Sequence, residues 1–349
     1  MPQRLSRQRL NRTLLLRQHL LERVAATPEE MTRHLVGLQA QENLPPYLSL
    51  AARLTDLDPH DVSRLLTERA LVRLLTMRGT IHLLTPEDAA VLRPWVAPRI
   101  EQEIRVSQSI GDARELPRAD VEAALREVLA DGPLPQKDIG ARLAERFPYG
   151  ATQLGQLARS AAPLAQLPPR GCWKASGGVV YDYVDRWTGV PMAEPDVPAL
   201  VRRYLRAFGP ATAADVTAWS AVTGMGPVLK GMDDLVRHEG EDGKVLYDVE
   251  GAPLADEDAP APVRLLGTYD NLWLSHAGRD RVTTPDTRRM WMGTNGGVGN
   301  TVFVDGWLTG IWRVVDGRVV VEHLHRDLTP VERDGLAEEV ARVEGLLAR

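Results

Sequence analysis

The stretch "ALREVLADGPLPQKDIGARLAERF", residues 124 to 147, returns in altered form as "LVRRYLRAFGPATAADVTAWSAV", residues 200 to 222. Gly132, Pro133, Asp138 and Ile139 match Gly209, Pro210, Asp215 and Val216, an offset of 77 at every matched position. In both copies a helix precedes the Gly-Pro turn, a second helix follows it, and a further helical segment comes next: "ATQLGQLARSAAPLAQL" in one, "GMGPVLKGMDDLVRH" in the other. Each copy closes in a strand pair, read in "GCWKASGGVVYDY" and "EGEDGKVLYDV". Helix, turn, helix, helix, hairpin is the order of a winged helix-turn-helix, and the period is too long for a solenoid.

Working outward, the N-terminal region carries the same ingredients. "TPEE" at 27, "DPHD" at 58 and "TPED" at 85 each place a capping Thr or Asp before Pro, with an acid three residues after the cap. That pattern satisfies free backbone donors and suits the helix dipole. Between the second and third lies "ALVRLLTMRGTIHLL", two apolar runs hinged at Arg78-Gly79 that read as a β-hairpin. Residues 1–110, 111–192 and 193–252 therefore read as three winged-helix modules in tandem. After the Pro- and Asp-rich linker "GAPLADEDAPAP" (251–262), residues 263–349 read as a small β-rich element with a final helix from Pro330 to Leu347. The fold class is mainly α with β-hairpins (α+β).

The 349 residues exceed one comfortable core, so two or three compact units are expected. With 44% hydrophobic and 26% charged residues the chain reads as an ordinary globular protein. Cys172 is the single cysteine, which excludes an internal disulfide and any multi-cysteine zinc site. No apolar run is long enough to span a membrane and no signal peptide is recognisable, so a cytoplasmic location is expected. The formal net charge is −5, but the charges are segregated. Residues 1–25 hold six arginines against Glu22 (+5), and residues 233–258 hold ten acids against Arg237 and Lys244 (−8). A cationic face for nucleic acid thus remains open, as does a scatter of solvated charge. Only four lysines stand among 42 basic residues, leaving 38 arginines.

No metal constellation is evident. His323 and His325 in "EHLHR" lack a third ligand and read as structural. The "GTNGGVGN" run, 293–300, leads into a strand where a phosphate loop needs a helix N-terminus, so it resembles a phosphate cradle in composition only. In "HLVGLQAQENLPPYLSLAARL" an apolar helical pattern runs into Gln39 and Gln41, with Pro45-Pro46 as a break; by themselves the two amides read as capping the last turn of that helix.

Four stretches in sequence change that reading: "VGLQAQENLPPYLSLAARL", "RLLTMRGTIHLLTPEDAAVLRP", "RYLRAFGPATAADVTAWS" and "LLGTYDNLWLSHAGRDR". In this order, over nearly the whole chain, the sequence resembles the AlkZ/YcaQ family of bacterial winged-helix DNA glycosylases. The resemblance implies three tandem winged helices around a C-shaped DNA-binding channel with a small C-terminal β-rich element. It also implies that Gln39-Ala40-Gln41 is the catalytic motif; a second Gln, where the YcaQ-like branch tends to carry an acid, marks the AlkZ-like branch. Members of that branch remove bulky alkylated purines and unhook interstrand crosslinks made by DNA-alkylating natural products, a self-resistance and repair role.

An amide is not basic at neutral pH, so neither glutamine deprotonates water outright. Alkylation at nitrogen-7 makes guanine a cationic, good leaving group, and two carbonyl dipoles can orient water and stabilise an oxocarbenium-like sugar. The expected activity is monofunctional hydrolysis of the N-glycosidic bond, with no lyase step, no cofactor and no metal. The expected partner is double-stranded DNA containing alkylated guanine or adenine, met by a monomer associated with the nucleoid. Asn43, Arg78, Gly79, His82, His276 and Arg281 are candidate DNA contacts; the Arg78-Gly79 hairpin reads equally as a brace or as a probe in a groove, and His82 as a local packing group. The alternatives are a non-catalytic winged-helix regulator and a broad-spectrum methylpurine glycosylase.

Overall fold

The computed structural model describes residues 3–291 and 299–349, so all but the last two residues of the "GTNGGVGN" run lie outside the described residues. Strand β1 (Arg4–Leu5) and helix α1 (Arg7–Arg17) open the chain. Thr27 then starts α2 (Pro28–His34) with a full capping box, its hydroxyl accepting from the Glu30 N–H and the Glu30 carboxylate accepting from the Thr27 N–H. The helix stops because Val36 and Gly37 both take left-handed backbone, φ +53° and +100°. Gly37 is required there, since a Cβ would collide with Leu84 Cδ2 as well as strain the backbone. The chain continues as β2 (Leu38–Gln39), α3 (Leu44–Arg53), α4 (Pro59–Thr67, capped by Asp58) and the hairpin β3 (Val72–Leu75) and β4 (Ile81–Leu84). Helices α5 (Pro86–Trp95, capped by Thr85) and α6 (Ala97–Val106) follow.

Two readings of this region are corrected. Gln39 and Gln41 do not end a helix: Gln39 lies in β2, paired with β4, and Gln41 stands just beyond it. Pro45-Pro46 does not stop a helix but lies in the first turn of α3. The first N–H groups of a helix have no intrahelical acceptor, so prolines there forfeit no hydrogen bond.

The second copy comprises α7 (Arg118–Val128), β5 (Leu134–Pro135), α8 (Gln136–Ala144), α9 (Ala151–Ala161) and the strands β6 (Leu164–Gln166) and β7 (Val180–Tyr183), followed by α10 (Val184–Thr188). Its first hairpin strand lies earlier than expected, within "PLAQL" rather than after Gly171. Pro163 cannot donate to the helix, so α9 ends at Ala161 and the apolar residues beyond it extend. The third copy comprises α11 (Val197–Phe208), α12 (Ala213–Ser220), α13 (Met225–Lys230), β8 (Leu235–Gly240) and β9 (Val245–Val249).

Each copy has the order helix, extended residue, helix, helix, hairpin, and each extended residue pairs with the second hairpin strand. Gln39 faces His82, Leu134 faces Tyr181, and Ala211, 77 residues after Leu134, faces Tyr247. The first two hairpins join through β3 and β6, giving one six-stranded sheet ordered β2-β4-β3-β6-β7-β5, a mirrored sequence of equivalent strands. The third hairpin is extended instead by β1, parallel to β8. After the linker, β10 (Arg264–Leu266), α14 (Asn271–Leu274), α15 (Pro285–Trp291), β11 (Asn300–Val304), β12 (Trp307–Val315), β13 (Arg318–Leu324) and α16 (Pro330–Ala348) form the last element. Its four strands make an antiparallel sheet in sequence order. The expected separate cores merge: one buried apolar cluster runs from Leu14 through all three copies to Leu346.

The N-terminal arginines bond distant parts of the chain, Arg12 and Arg17 from buried positions and Arg4 at the surface. Arg4 donates to the Glu241 carbonyl, Arg9 to that of Ala255 and Arg7 to those of Asp280 and Thr283. Arg12 pairs with Asp305, Arg23 with Glu339 at 2.7 Å, and Arg17 forms a buried bidentate pair with Asp248, both bonds 2.8 Å. Among the described residues the basic start meets the acidic 233–258 stretch in one arginine–carboxylate pair, Arg17–Asp248, and in bonds from Arg4 and Arg9 to its backbone carbonyls.

Candidate active site

Gln39 ends β2 and is buried, whereas Gln41 stands two residues on, exposed, in the bend beyond the strand. The pairing with β4 is interrupted at Ala40 in an informative way. The Ala40 N–H donates to the Ile81 carbonyl at 2.7 Å, as in a regular ladder. The return bond is diverted: the Ile81 N–H donates to Gln41 Oε1 at 3.2 Å, while the Ala40 carbonyl accepts from Arg73 Nη2 at 2.8 Å. Gln41 thus extends the ladder with its side chain as the main chain turns towards α3.

Gln39 is held by the hairpin turn. Arg78, with φ +56°, turns its guanidinium inward; Nη2 donates to Gln39 Oε1 at 3.1 Å and to His82 Nε2 at 2.9 Å, and Nη1 donates to the Trp219 carbonyl at the end of α12. Gly79, with φ +67°, leaves no room for a Cβ against the Glu103 carboxylate, which itself pairs with Arg99 at 2.9 Å. His82 is fully buried and its tautomer follows from its partners. A guanidinium only donates, so Nε2 is the acceptor, and Nδ1, 3.1 Å from the Thr80 carbonyl, carries the hydrogen. Burial, reinforced by Arg78, holds His82 well below the usual histidine range, so the ring is neutral.

Arg73 and Arg78 are cations with no carboxylate partner among the described residues. Burial pushes Arg73 down to about 10 and Arg78 down to about 9, the latter assisted by nearby Arg279. Arg73 was not among the candidates read from sequence. A lone arginine in the otherwise apolar run "LVRLL" was the available signal, because an unpaired charge is seldom buried without a specific task.

The remaining candidates fall elsewhere. Asn43 precedes α3, half-buried, with an Oδ1 that accepts from no group among the described residues. His276 is interior: its Nε2 donates to the Phe208 carbonyl at 3.0 Å and its Nδ1 is 3.1 Å from Ser275 Oγ. Burial pushes His276 down to about 3. It sits behind the Arg78 contact, with Trp219 packed on Tyr204 at 5.0 Å and Tyr204 on His276 at 6.5 Å. Arg281 is largely buried, 3.8 Å from Asp215, whose carboxylate also accepts from the Ala277 N–H at 2.9 Å. His276 thus ties the C-terminal element to α11 and Arg281 ties it to α12. His325 bonds the Thr309 carbonyl, and no cluster of three or more His, Cys, Asp or Glu among the described residues could hold a metal ion. No helix of the described residues is long and apolar enough to cross a membrane.

The candidate site is therefore a pair of neutral amides at and just beyond a strand end, backed by buried guanidinium groups and bonded to no carboxylate among the described residues. The profile of a family described as DNA glycosylase AlkZ-like matches residues 32–346, which places the chain among the DNA glycosylases. Within that class it belongs to the AlkZ-like family. The chain is 26% identical to the interstrand DNA cross-link repair glycosylase of Streptomyces sahachiroi over 95% of this chain and 94% of that protein. Its fold is similar to the solved structure of Streptomyces sahachiroi DNA glycosylase AlkZ, with a TM-score of 0.82 at 23% identity over 99% of this chain and 97% of the other.

Proposed function

We propose that the protein hydrolyses the N-glycosidic bond of N7-alkylated purines in duplex DNA, acting on bulky adducts or interstrand crosslinks from DNA-alkylating natural products. The observation that carries this reading is the Gln39-Gln41 pair, held by Arg78 and by the Ile81 N–H and hydrogen-bonded to no carboxylate among the described residues. An ionised carboxylate would favour attack on ordinary nucleotides too; a neutral pair suits a base that already carries positive charge. The departing base takes the bonding electrons and loses its charge, the sugar becomes oxocarbenium-like, and water adds at C1′ and releases its proton to solvent. Base and abasic site are the products, and the reaction stops there without a lyase step. The cross-link repair named for the Streptomyces relative supports a bulky substrate.

The three repeats, read as winged-helix modules at 1–110, 111–192 and 193–252, would grip the duplex in one channel, the protein acting as a monomer in the cytoplasm. In this reading the Arg78-Gly79 turn braces the catalytic strand rather than probing a groove. The test incubates the purified protein with duplexes carrying methylated, bulky-adducted or crosslinked N7-alkylguanine, followed by heating in alkali. Strand breaks at the lesion are expected with wild type, and about 100-fold fewer with Gln39→Ala, Gln41→Ala, the loss typical of a positioned dipole. No breaks from any duplex would remove the glycosylase reading, and an undiminished double variant would remove the assigned residues.

A further inference from the structure

We infer that Arg78 is a positioning residue that commits Gln39 to act as a hydrogen-bond donor, leaving its Nε2 as the group offered to the departing purine, while Gln41 keeps the acceptor role. The inference rests on the assignment of Gln39 to the reaction and goes beyond it in dividing the work between the two amides.

The orientation of each amide follows from its neighbour. Arginine has donors only, so the Gln39 atom 3.1 Å from Arg78 Nη2 is the carbonyl oxygen. A backbone N–H likewise only donates, so the Gln41 atom facing Ile81 is also its oxygen. Gln39 Nε2 donates to no group among the described residues and is not among the buried polar atoms lacking a partner. The two carbonyls differ in what holds them. Gln41 Oε1 receives one neutral N–H and keeps its second lone pair for water or the sugar cation. Gln39 Oε1 receives a cation, which withdraws electron density from the amide, weakens the oxygen as a partner for a cationic sugar and strengthens the Nε2–H donors.

Nothing about Arg78 suggests a mere strap. Its φ of +56° is a conformation that L-residues other than Gly, Asn and Asp seldom adopt. Its contacts are the Trp219 carbonyl, Gln39 and His82, the last held as a neutral acceptor by its own bond to Thr80. Neutral donors would satisfy those three acceptors without the desolvation cost of an unpaired buried cation. The charge gains a use if Gln39 must donate. In glycosidic cleavage the departing base gains electron density, and a fixed donor aimed at its acceptor atoms stabilises that gain.

Gln39→Glu separates the alternatives, because a carboxylate keeps the acceptor, adds the negative charge a sugar cation favours and removes the donor. Single-turnover rates on a duplex with N7-alkylguanine, measured beside DNA affinity, are compared for Gln39→Ala, Gln39→Glu, Arg78→Met and Arg78→Lys. Gln39→Glu is expected to slow the reaction about 100-fold or more, as for a lost positioned donor, with DNA affinity unchanged. Arg78→Met is expected to slow it while leaving affinity intact, and Arg78→Lys, which still donates to the carbonyl, to recover part of the loss. A Gln39→Glu rate equal to or above wild type overturns the donor role, and equal losses for Arg78→Met and Arg78→Lys overturn the positioning role. An undiminished Gln39→Ala variant instead removes Gln39 from the reaction altogether. If Arg78→Met fails to fold, Gln39→Glu and Arg78→Lys, which keep the donor-acceptor contact, still decide.

Discussion

His19 and His276 are neutral for the same reason: each is removed from water, and burial disfavours the charged ring. His19, at φ +55° with its ring 4.8 Å from that of His34, is pushed down to about 4, and His276 to about 3. In the unfolded chain both titrate near 6.5. Between these values the unfolded state binds more protons than the folded one, so stability is fully present above about pH 6.5 and falls as pH drops towards 4. The slope approaches about 1.4 kcal/mol per pH unit for the fully buried His276 and is smaller for the half-buried His19, whose charge water partly screens. Urea denaturation at pH 7, 6, 5 and 4 should show that loss, and stability independent of pH over this range would contradict it. His82, buried and held well below the usual histidine range, adds to the same loss, since it titrates near 6.5 in the unfolded chain. At this scale the sequence was half legible: the resemblance singled out Gln39 and Gln41, whereas the partners that orient them are a turn arginine and a backbone N–H about forty positions on, brought close only by strand pairing.

Elements that declare themselves by local chemistry were readable. The helices after Thr27, Asp58, Thr85 and Thr329 begin where their caps stand, because the cap bonds lie within three residues of each other. Thr27 and Thr329 form identical boxes with Glu30 and Glu332. Replacing either Thr with Ala should cost about 1 kcal/mol, and the double variant the sum, since the two capping boxes have no residue in common. Urea midpoints at constant m-value measure this; a double variant no worse than one single would show the boxes to be idle. Strand β2 was misread because its apolar neighbours continue the helical spacing of α2. The punctuation was Gly37, and its need for left-handed backbone became decisive only with Leu84 packed where a Cβ would stand. Strand β6 was hidden in a helical pattern that Pro163 cut short.

Across the whole molecule, Arg17 and Asp248 join α1 to the third repeat in a dry bidentate pair, their side chains 1% and 2% exposed. Arg17→Met should cost about 3–5 kcal/mol by stranding the carboxylate, and Arg17→Met with Asp248→Leu should regain most of it. Thermal melts test the stability claim, and DNA affinity of the folded variants should match wild type. A selective loss of DNA binding without loss of stability would instead restore the basic N-terminus to the nucleic-acid interface. The sequence by itself determined the repeat, the caps, the turns of the first and third hairpins and, by resemblance, the amide pair, because each rests on residues close along the chain or on a pattern copied 77 residues away. Only the tertiary structure decided that the first two hairpins fuse into one sheet, that Arg17 of the basic start pairs with Asp248 of the acidic stretch, and that a buried cation with no carboxylate partner among the described residues grips Gln39. Those outcomes depend on which surfaces exclude water from one another, and burial is a property of neighbours far apart in sequence.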